Sequence, residues 1–187
     1  NTDPRDTCST LGLMACYPFT GNAEDATTND NDGVVSGATL ATNRFGRLQQ
    51  AYAFDGIDDN VTVSDHSSLD ITEALTIGMW VYAKEDKTQV LALKAQDGTA
   101  AGSAYILRWF VGNGVFLEVG DGTAQSSSPK HLLALNQWHH VVGYYDGLNV
   151  GLYVDGVHIG SNAGPSSIRT TTTSLVLGQF TGYGQWF

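Results

Sequence analysis

Short runs of alternating apolar and polar residues, separated by turn residues, constrain the fold of this chain more than any other sequence feature. The runs recur about every eight to twelve residues, with no convincing helical period between them. Asp146-Gly147 and Asp155-Gly156 join such runs, which is a strong hairpin signal, and Gly112-Asn113-Gly114 predicts a third hairpin. The pattern therefore predicts an all-β protein, a sandwich or a barrel, without internal repeats or a dividing linker.

The predicted strands lie at residues 13–19, 51–56, 60–65, 74–84, 88–95, 104–111, 115–122, 138–145, 150–156 and 157–160. Residues 1–12 are polar and predict an N-terminal arm, whereas residues 20–39 are rich in Asn, Asp, Thr and Gly and predict a long loop. Trp80 and Trp138 lie inside strongly patterned strands, so we expect both side chains in the core.

His139 and His140 follow a tryptophan and precede several aspartates, which raises the question of a metal or catalytic cluster. Because successive side chains of a strand point to opposite faces, the two imidazoles cannot share a ligand. Turn geometry explains Asp146 and Asp155. The segment is therefore interpreted as structural.

The composition excludes several classes of partner. The chain of 187 residues carries nineteen acidic and nine basic residues, a formal net charge of −10. An acidic surface repels polyphosphate, so nucleic acid and anionic membrane are poor partners, and no apolar stretch is long enough for membrane insertion. The sequence begins without methionine or a signal peptide, so we expect a processed or excised segment.

Cys8 and Cys16 are the two cysteines of the chain, and they lie close enough in sequence to clasp the N-terminal arm. An even pair, few lysines and a β-rich pattern favour a disulfide in an oxidising, extracellular setting. The alternative is a pair of free thiols.

Four segments, in this order, resemble a known family: residues 17–39, 43–63, 75–83 and 136–157. They are similar to the laminin G-like (LamG-like jellyroll) domains of the concanavalin A-like lectin/glucanase superfamily. The resemblance covers residues 13–187 and implies a two-sheet antiparallel β-sandwich, a jelly roll. It further implies a mostly non-catalytic binding module of secreted or cell-surface proteins that takes carbohydrate or protein ligands, often with structural calcium.

One departure from the family concerns the C-terminus. The family pattern continues past the segment that matches "GYGQWF" into one more strand, which often supplies an acidic calcium ligand. This chain stops at Phe187. Either the domain lacks its last strand, with an uncovered edge that invites pairing, or another element completes that edge.

The resemblance places Asp25, Asn29 and Asn31 at calcium-ligating positions of the acidic loop. Calcium takes six to eight oxygen ligands, and a loop lets carboxylates and carbonyls converge. The alternative is a solvated acidic loop that caps its own backbone. The second acidic turn, "FDGIDDN" at 54–60, is interpreted as structural because Asx turns explain it.

Residues with the chemistry of a sugar site lie near predicted strand ends or among glycines. Aromatic faces stack on sugar rings while polar neighbours fix the hydroxyl groups. The ligand-binding candidates are the aromatic residues Trp109, Tyr183 and Trp186, with the polar residues Asp97, Asn113 and Gln185. The alternative for each aromatic residue is packing in the core or at an interface with another module.

Catalysis is not expected. Glucanases of this superfamily carry alternating carboxylates on one strand face, whereas Glu118 and Asp121 are three residues apart and fall on opposite faces. The leading hypothesis is a non-catalytic, lectin-like module that binds a glycan or cell-surface polysaccharide. The main alternative is a protein-interaction or spacer domain beside neighbouring modules of an adhesin or multi-module enzyme. A hydrolase or lyase that depends on Glu118 is the third hypothesis.

Overall fold

The computed structural model of the chain describes Cys8 and residues 12–95 and 103–178. Within these residues the secondary structure is thirteen β-strands and one 3-10 turn at Ser67–Leu69. The strands are β1 Gly33–Ser36, β2 Thr39–Ala41, β3 Ala51–Ala53, β4 Asn60–Val63, β5 Leu75–Tyr82, β6 Gln89–Ala95, β7 Ser103–Phe110, β8 Gly114–Gly120, β9 Gln125–Ser127, β10 Trp138–Tyr145, β11 Asn149–Val154, β12 Val157–Ala163 and β13 Leu175–Gly178. No helix in the described part of the chain is long and apolar enough to cross a bilayer.

Two antiparallel sheets form the molecule. The large sheet has the order β1-β4-β13-β6-β7-β8-β9, and the small sheet has the order β12-β11-β10-β5. A two-stranded ribbon, β2-β3, accompanies them. The architecture confirms the predicted all-β, two-sheet antiparallel sandwich, and the hairpins at 112–114, 146–147 and 155–156 are confirmed as well.

The core lies between the facing sides of the two sheets, where alternate residues of each strand point inward. Burying apolar surface in this layer is the main stabilising contribution to a sandwich of this size. The fully buried side chains at its centre are Leu107, Val115, Leu117, Val119, Val141, Tyr145, Val150 and Leu152.

The N-terminal part differs from the sequence prediction. Residues 13–19 do not form a strand. Hydrogen bonds to side chains and a disulfide position this segment, and they replace the backbone ladder of a strand. The predicted loop at 20–39 contains β1, which pairs with β4. The predicted strands at 51–56 and 60–65 exist in shortened form as β3 and β4. Strand β3 pairs with β2, and β4 pairs with β1 and β13.

The disulfide between Cys8 and Cys16 is present, with 5.9 Å between the two Cα atoms, and confirms the predicted pairing. It ties the N-terminal arm to the segment that precedes the acidic loop.

Strand β5 is an edge of the small sheet, since β10 is its one partner among the described strands. Its core-facing residues Ile77, Met79 and Val81 are half-buried and line a cleft of about 1910 Å³. The further strand that the resemblance implies, and the edge that it would cover, stay predictions.

Candidate functional site

The sequence-predicted ligand residues do not meet in one place. Trp109 is 3% exposed and lies in the core, where its Nε1 donates to Asp86 Oδ1 at 2.7 Å, so no sugar ring can stack on it here. Asn113 is exposed in the β7–β8 turn, and its side chain donates to the Val111 carbonyl oxygen at 3.3 Å. Asp97, Tyr183, Gln185 and Trp186 lie outside the described residues.

The carboxylate of Asp25 organises the acidic loop. Its Oδ1 accepts hydrogen bonds from the backbone N–H groups of Cys16 at 2.8 Å and Thr27 at 3.0 Å. Its Oδ2 accepts from the Thr27 hydroxyl at 2.7 Å and from the backbone N–H of Asn31 at 3.1 Å. Burial raises the pKa of this carboxyl, but the donated hydrogen bonds outweigh burial and the net shift of the pKa is downward.

Asn29 and Asn31 lie beside this carboxylate and bond the segment before it. The Nδ2 of Asn31 donates to the Met14 carbonyl oxygen at 2.7 Å and to Ser68 Oγ at 2.9 Å. The Nδ2 of Asn29 donates to the carbonyl oxygens of Met14 at 3.1 Å and Leu13 at 3.3 Å. The structure thus brings the three predicted calcium ligands together, and their side chains form hydrogen bonds with the backbone of neighbouring segments.

This arrangement does not fit a calcium ion as it stands. Calcium needs six to eight converging oxygen atoms, whereas the groups that surround the Asp25 carboxylate are hydrogen-bond donors. The calcium site at Asp25, Asn29 and Asn31 stays a prediction, and nothing that follows depends on it.

The second acidic turn contains the Asx bonds that the sequence predicts. Asp55 Oδ1 accepts from the Ile57 amide at 2.8 Å, and Asp59 Oδ2 accepts from the Asp55 amide at 2.8 Å. Oxygen atoms of Asp55, Asp58 and Asp59 lie within 4.8 Å of one another. Because exposed acidic groups of this kind are common without an ion, the bonds to the backbone are sufficient to explain the turn.

The two adjacent histidines point to opposite faces of β10, as predicted. His139 is buried, with Nδ1 2.7 Å from Asp155 Oδ2 and Nε2 3.1 Å from the Ala134 carbonyl oxygen. His140 points outward, while its backbone N–H donates to Asp155 Oδ1 at 2.8 Å. Asp155 therefore fastens the β11–β12 turn to β10.

The outer face of the small sheet carries an exposed group of aromatic side chains. Trp80 and His140 are directly opposite each other on β5 and β10, and their rings stack at 4.9 Å between centroids with 28° between the planes. Tyr82 and Trp138 form the next cross-strand pair, edge to face at 5.6 Å. Trp80 and Tyr82 are 43% and 42% exposed, which is unusual for side chains of this size on a strand.

The loop after β2 completes this surface. The guanidinium of Arg44 lies 4.6 Å from the centroid of the Trp80 ring and 4.2 Å from that of Phe45, in cation–π contact with both. A shallow depression of about 480 Å³ opens between these groups. We call the following residues the aromatic platform: Arg44, Phe45, Trp80, Tyr82, Trp138 and His140.

The expectation that Trp80 lies in the core is wrong, and Trp138 is only half-buried on the same outer face. Strand β5 is apolar on both faces, so alternation alone does not reveal which set of residues points inward. Ile77, Met79 and Val81 are the inward set. The register with β10 identifies the outward set, because it places the polar residue His140 opposite Trp80. This register cannot be read from a single sequence.

The electrostatics of the platform favour a neutral imidazole. Partial burial lowers the pKa of His140, and the nearby Arg44 charge lowers it further, while Asp155 acts in the opposite direction. His140 is therefore uncharged at neutral pH and stacks on Trp80 as a neutral ring, which leaves Arg44 as the cation of the platform.

A second aromatic group lies on the same outer face, further along β10. The rings of Tyr144, Tyr153 and His158 lie 4.7–6.1 Å apart, and the Tyr144 hydroxyl is 3.1 Å from His158 Nε2. The Tyr144 ring lies over Gly151, where a Cβ atom would come within 2.2 Å of it. We call Tyr144, Tyr153 and His158 the distal cluster.

Solved structures of low sequence identity share this fold. Domain 4 of AbnA, a GH43 extracellular arabinanase from Geobacillus stearothermophilus solved in complex with arabinotriose, is 19% identical with a TM-score of 0.71. That match covers 94% of this chain and 85% of that domain.

Two clostridial toxin structures are more distant. Botulinum neurotoxin type C, whose cell entry depends on interaction with two ganglioside molecules, is 11% identical over 94% of this chain and 44% of that chain, with a TM-score of 0.62. The binding domain of botulinum neurotoxin DC, in complex with SialylT, is 11% identical over 82% and 39%, with a TM-score of 0.57. This chain thus spans less than half the length of these toxin chains.

No curated protein matches the chain at a significant level. A family model does match, over residues 54–187, and its description is the concanavalin A-like lectin/glucanases superfamily, laminin G type. That match includes β4 to β13, which form most of the sandwich and carry both aromatic groups apart from Arg44 and Phe45 of the platform. The chain therefore belongs to the laminin G-like family of the concanavalin A-like lectin/glucanase superfamily.

Proposed function

We propose that this chain is a non-catalytic carbohydrate-binding module that holds a glycan on the aromatic platform. The observation that carries the proposal is the exposed, stacked pair of Trp80 and His140 beside Tyr82 and Trp138. Leaving such large rings in water has a free-energy cost that the fold does not explain. A sugar presents a flat set of C–H groups that would cover these rings.

The polar part of the site is Arg44. Its guanidinium lies over the Trp80 and Phe45 rings at the rim of the depression, where its N–H groups can donate to sugar hydroxyl or carboxylate oxygens. A few fixed polar groups around an apolar floor are typical of small-ligand sites. The AbnA domain, which shares the fold and was solved with arabinotriose, supports the same class of ligand.

The proposal places the chain outside the cell, in a secreted or surface protein. The disulfide between Cys8 and Cys16 supports this setting, because disulfides persist in oxidising compartments. Glu118 forms an ion pair with Arg108 on the large sheet, so it is not part of the aromatic platform on the small sheet.

A glycan array with the whole chain tests the proposal. We expect binding to at least one glycan class, and we expect Trp80→Ala to weaken that binding about 30-fold, or roughly 2 kcal/mol, as for a central aromatic anchor. Val34→Ala is the matched control, because Val34 is an exposed apolar residue on β1 of the other sheet.

Silence of the wild-type protein on the array would contradict the proposal and would favour the protein-interaction alternative. Equal binding by wild type and Trp80→Ala would place the sugar site elsewhere on the molecule.

A further inference from the structure

Gly78 is a glycine in the middle of β5 that the fold does not require. Its φ lies outside the left-handed region, and a Cβ atom built on it would meet Val142 Cγ2 at 3.6 Å and His140 Nε2 at 3.8 Å, which are ordinary contacts. Glycine inside a strand is destabilising relative to residues with a side chain. The sheet would therefore accept, and gain stability from, a side chain at this position.

Two other glycines of the small sheet, Gly143 and Gly151, show the contrast. A Cβ atom on Gly143 would come within 2.8 Å of the Leu117 side chain in the core, and one on Gly151 would enter the Tyr144 ring. Those two positions are glycine because of packing, whereas Gly78 is exposed on the outer side of the sheet and has room for a side chain. A strand glycine without a packing reason often marks the close approach of a ligand.

Gly78 lies between the two aromatic groups. On its own strand, Trp80 of the aromatic platform is two residues away on the same face. Across the sheet, Gly78 is opposite Val142, and Val142 is opposite Tyr153 of the distal cluster. Gly78 and Val142 together therefore connect the two groups on the outer face.

We propose that the aromatic platform, Gly78 and the distal cluster form one continuous binding surface for an extended glycan chain. This inference rests on the proposed function and adds the class of ligand: an oligosaccharide or the interior of a polysaccharide. His140 and Tyr144 are four residues apart on β10, or roughly 13 Å. One sugar ring cannot cover both ends, but a chain of several sugars passing over Gly78 can.

The distal cluster has the chemistry of a second sugar subsite. The rings of Tyr153 and His158 are exposed and lie 4.7 Å apart, and they offer a face for stacking. The Tyr144 hydroxyl and His158 Nε2 form a polar pair that can also donate to and accept from sugar hydroxyl groups.

The test is isothermal titration calorimetry with size series, from monosaccharide to hexasaccharide, of arabinan, xylan, mannan and cellulose fragments. For the series that binds, we expect the affinity of the wild-type protein to rise at least about tenfold with chain length. Gly78→Val fills the floor between the groups with a residue favoured in strands, and we expect it to abolish that rise while the melting temperature is unchanged or higher. Gly78→Ala adds only one methyl group, so it provides a second test if Gly78→Val does not fold.

Tyr153→Ala should reduce the affinity for long chains about tenfold and leave that for short fragments unchanged, whereas Trp80→Ala should weaken both. Ser36→Val on β1 is the matched control for Gly78→Val, since it adds the same side chain to an exposed strand position of the other sheet.

Two results would overturn the extended surface and leave the proposed function intact. In both, the wild type binds and Trp80→Ala does not; in addition, the affinity is either independent of chain length or unaffected by Gly78→Val. The absence of binding to all four series, together with silence of the wild type on the glycan array, would overturn both.

Discussion

Asp25 should stabilise the domain through its hydrogen bonds, with or without calcium. Replacing it by alanine leaves three backbone N–H groups, those of Cys16, Thr27 and Asn31, without their acceptor. Asp25 is 8% exposed, so water replaces the carboxylate poorly, and each lost acceptor costs roughly 1–3 kcal/mol. The lower bound of about 3 kcal/mol corresponds to a melting temperature lower by roughly 6–12 °C for a domain of this size.

The assay is thermal unfolding of wild type, Asp25→Ala and the control Glu24→Ala, each in calcium and in EDTA. Glu24 precedes Asp25 in the same loop and is exposed, so its removal changes the charge equally without releasing a backbone amide. We expect the large loss for Asp25→Ala alone and the same loss in both buffers.

Equal melting temperatures of the two variants would refute the hydrogen-bond reasoning. A wild-type protein that calcium stabilises by several degrees, with no such effect in Asp25→Ala, would establish the calcium site that the sequence predicts.

The pH dependence follows from the same bonds. The folded-state pKa of Asp25 is lowered from its ordinary value, so its contribution to stability is fully present above the unfolded-state pKa near 3.9. That contribution is lost as the pH falls through the lower, folded-state value. Asp25→Ala should therefore lose less stability than wild type on acidification below about pH 4.

Two further predictions concern buried charge and the aromatic platform. Lys94 is fully buried and donates to Asp65 and to the carbonyl oxygens of Thr171 and Thr173, so Lys94→Met should cost about 1–3 kcal/mol in urea-induced unfolding. Lys84→Met at an exposed position should cost almost nothing, and equal effects of the two substitutions would contradict this. The pKa of His140 is lowered, so protonation destabilises the folded state and the wild type should lose stability as the pH falls below about 6.5. His140→Asn should lose less stability than the wild type between pH 7 and pH 5.5. Identical slopes of unfolding free energy against pH for the two proteins would refute the assignment.

The sequence identifies the strands of the C-terminal half because their signals are local. Asp-Gly pairs set the turns at 146–147 and 155–156, and alternation sets the two faces of β10. The N-terminal segment was harder to predict, because the apolar run at 13–19 resembles a strand while distant side chains such as Asp25 and Asn31 supply its bonds.

The candidate site depends on register, which a single sequence does not contain. Trp80 and His140 meet because β5 and β10 pair in one specific alignment, and Tyr153 joins that face through β11. The same pairing explains the interest of Gly78, because only the position of the opposite strand shows that a Cβ atom there would meet no closer neighbour than Val142 Cγ2 at 3.6 Å. The family resemblance supplied the sandwich but not the face that carries the aromatic residues.

The most direct test of glycan binding on the outer face of the small sheet is an NMR titration of the isotope-labelled protein with arabinan, xylan, mannan and cellulose hexasaccharides. We expect the largest shifts at the indole N–H groups of Trp80 and Trp138 and at amides of β5 and β10. Shifts confined to the large sheet or to the cleft behind β5, or no shifts with any of the four sugars, would contradict it.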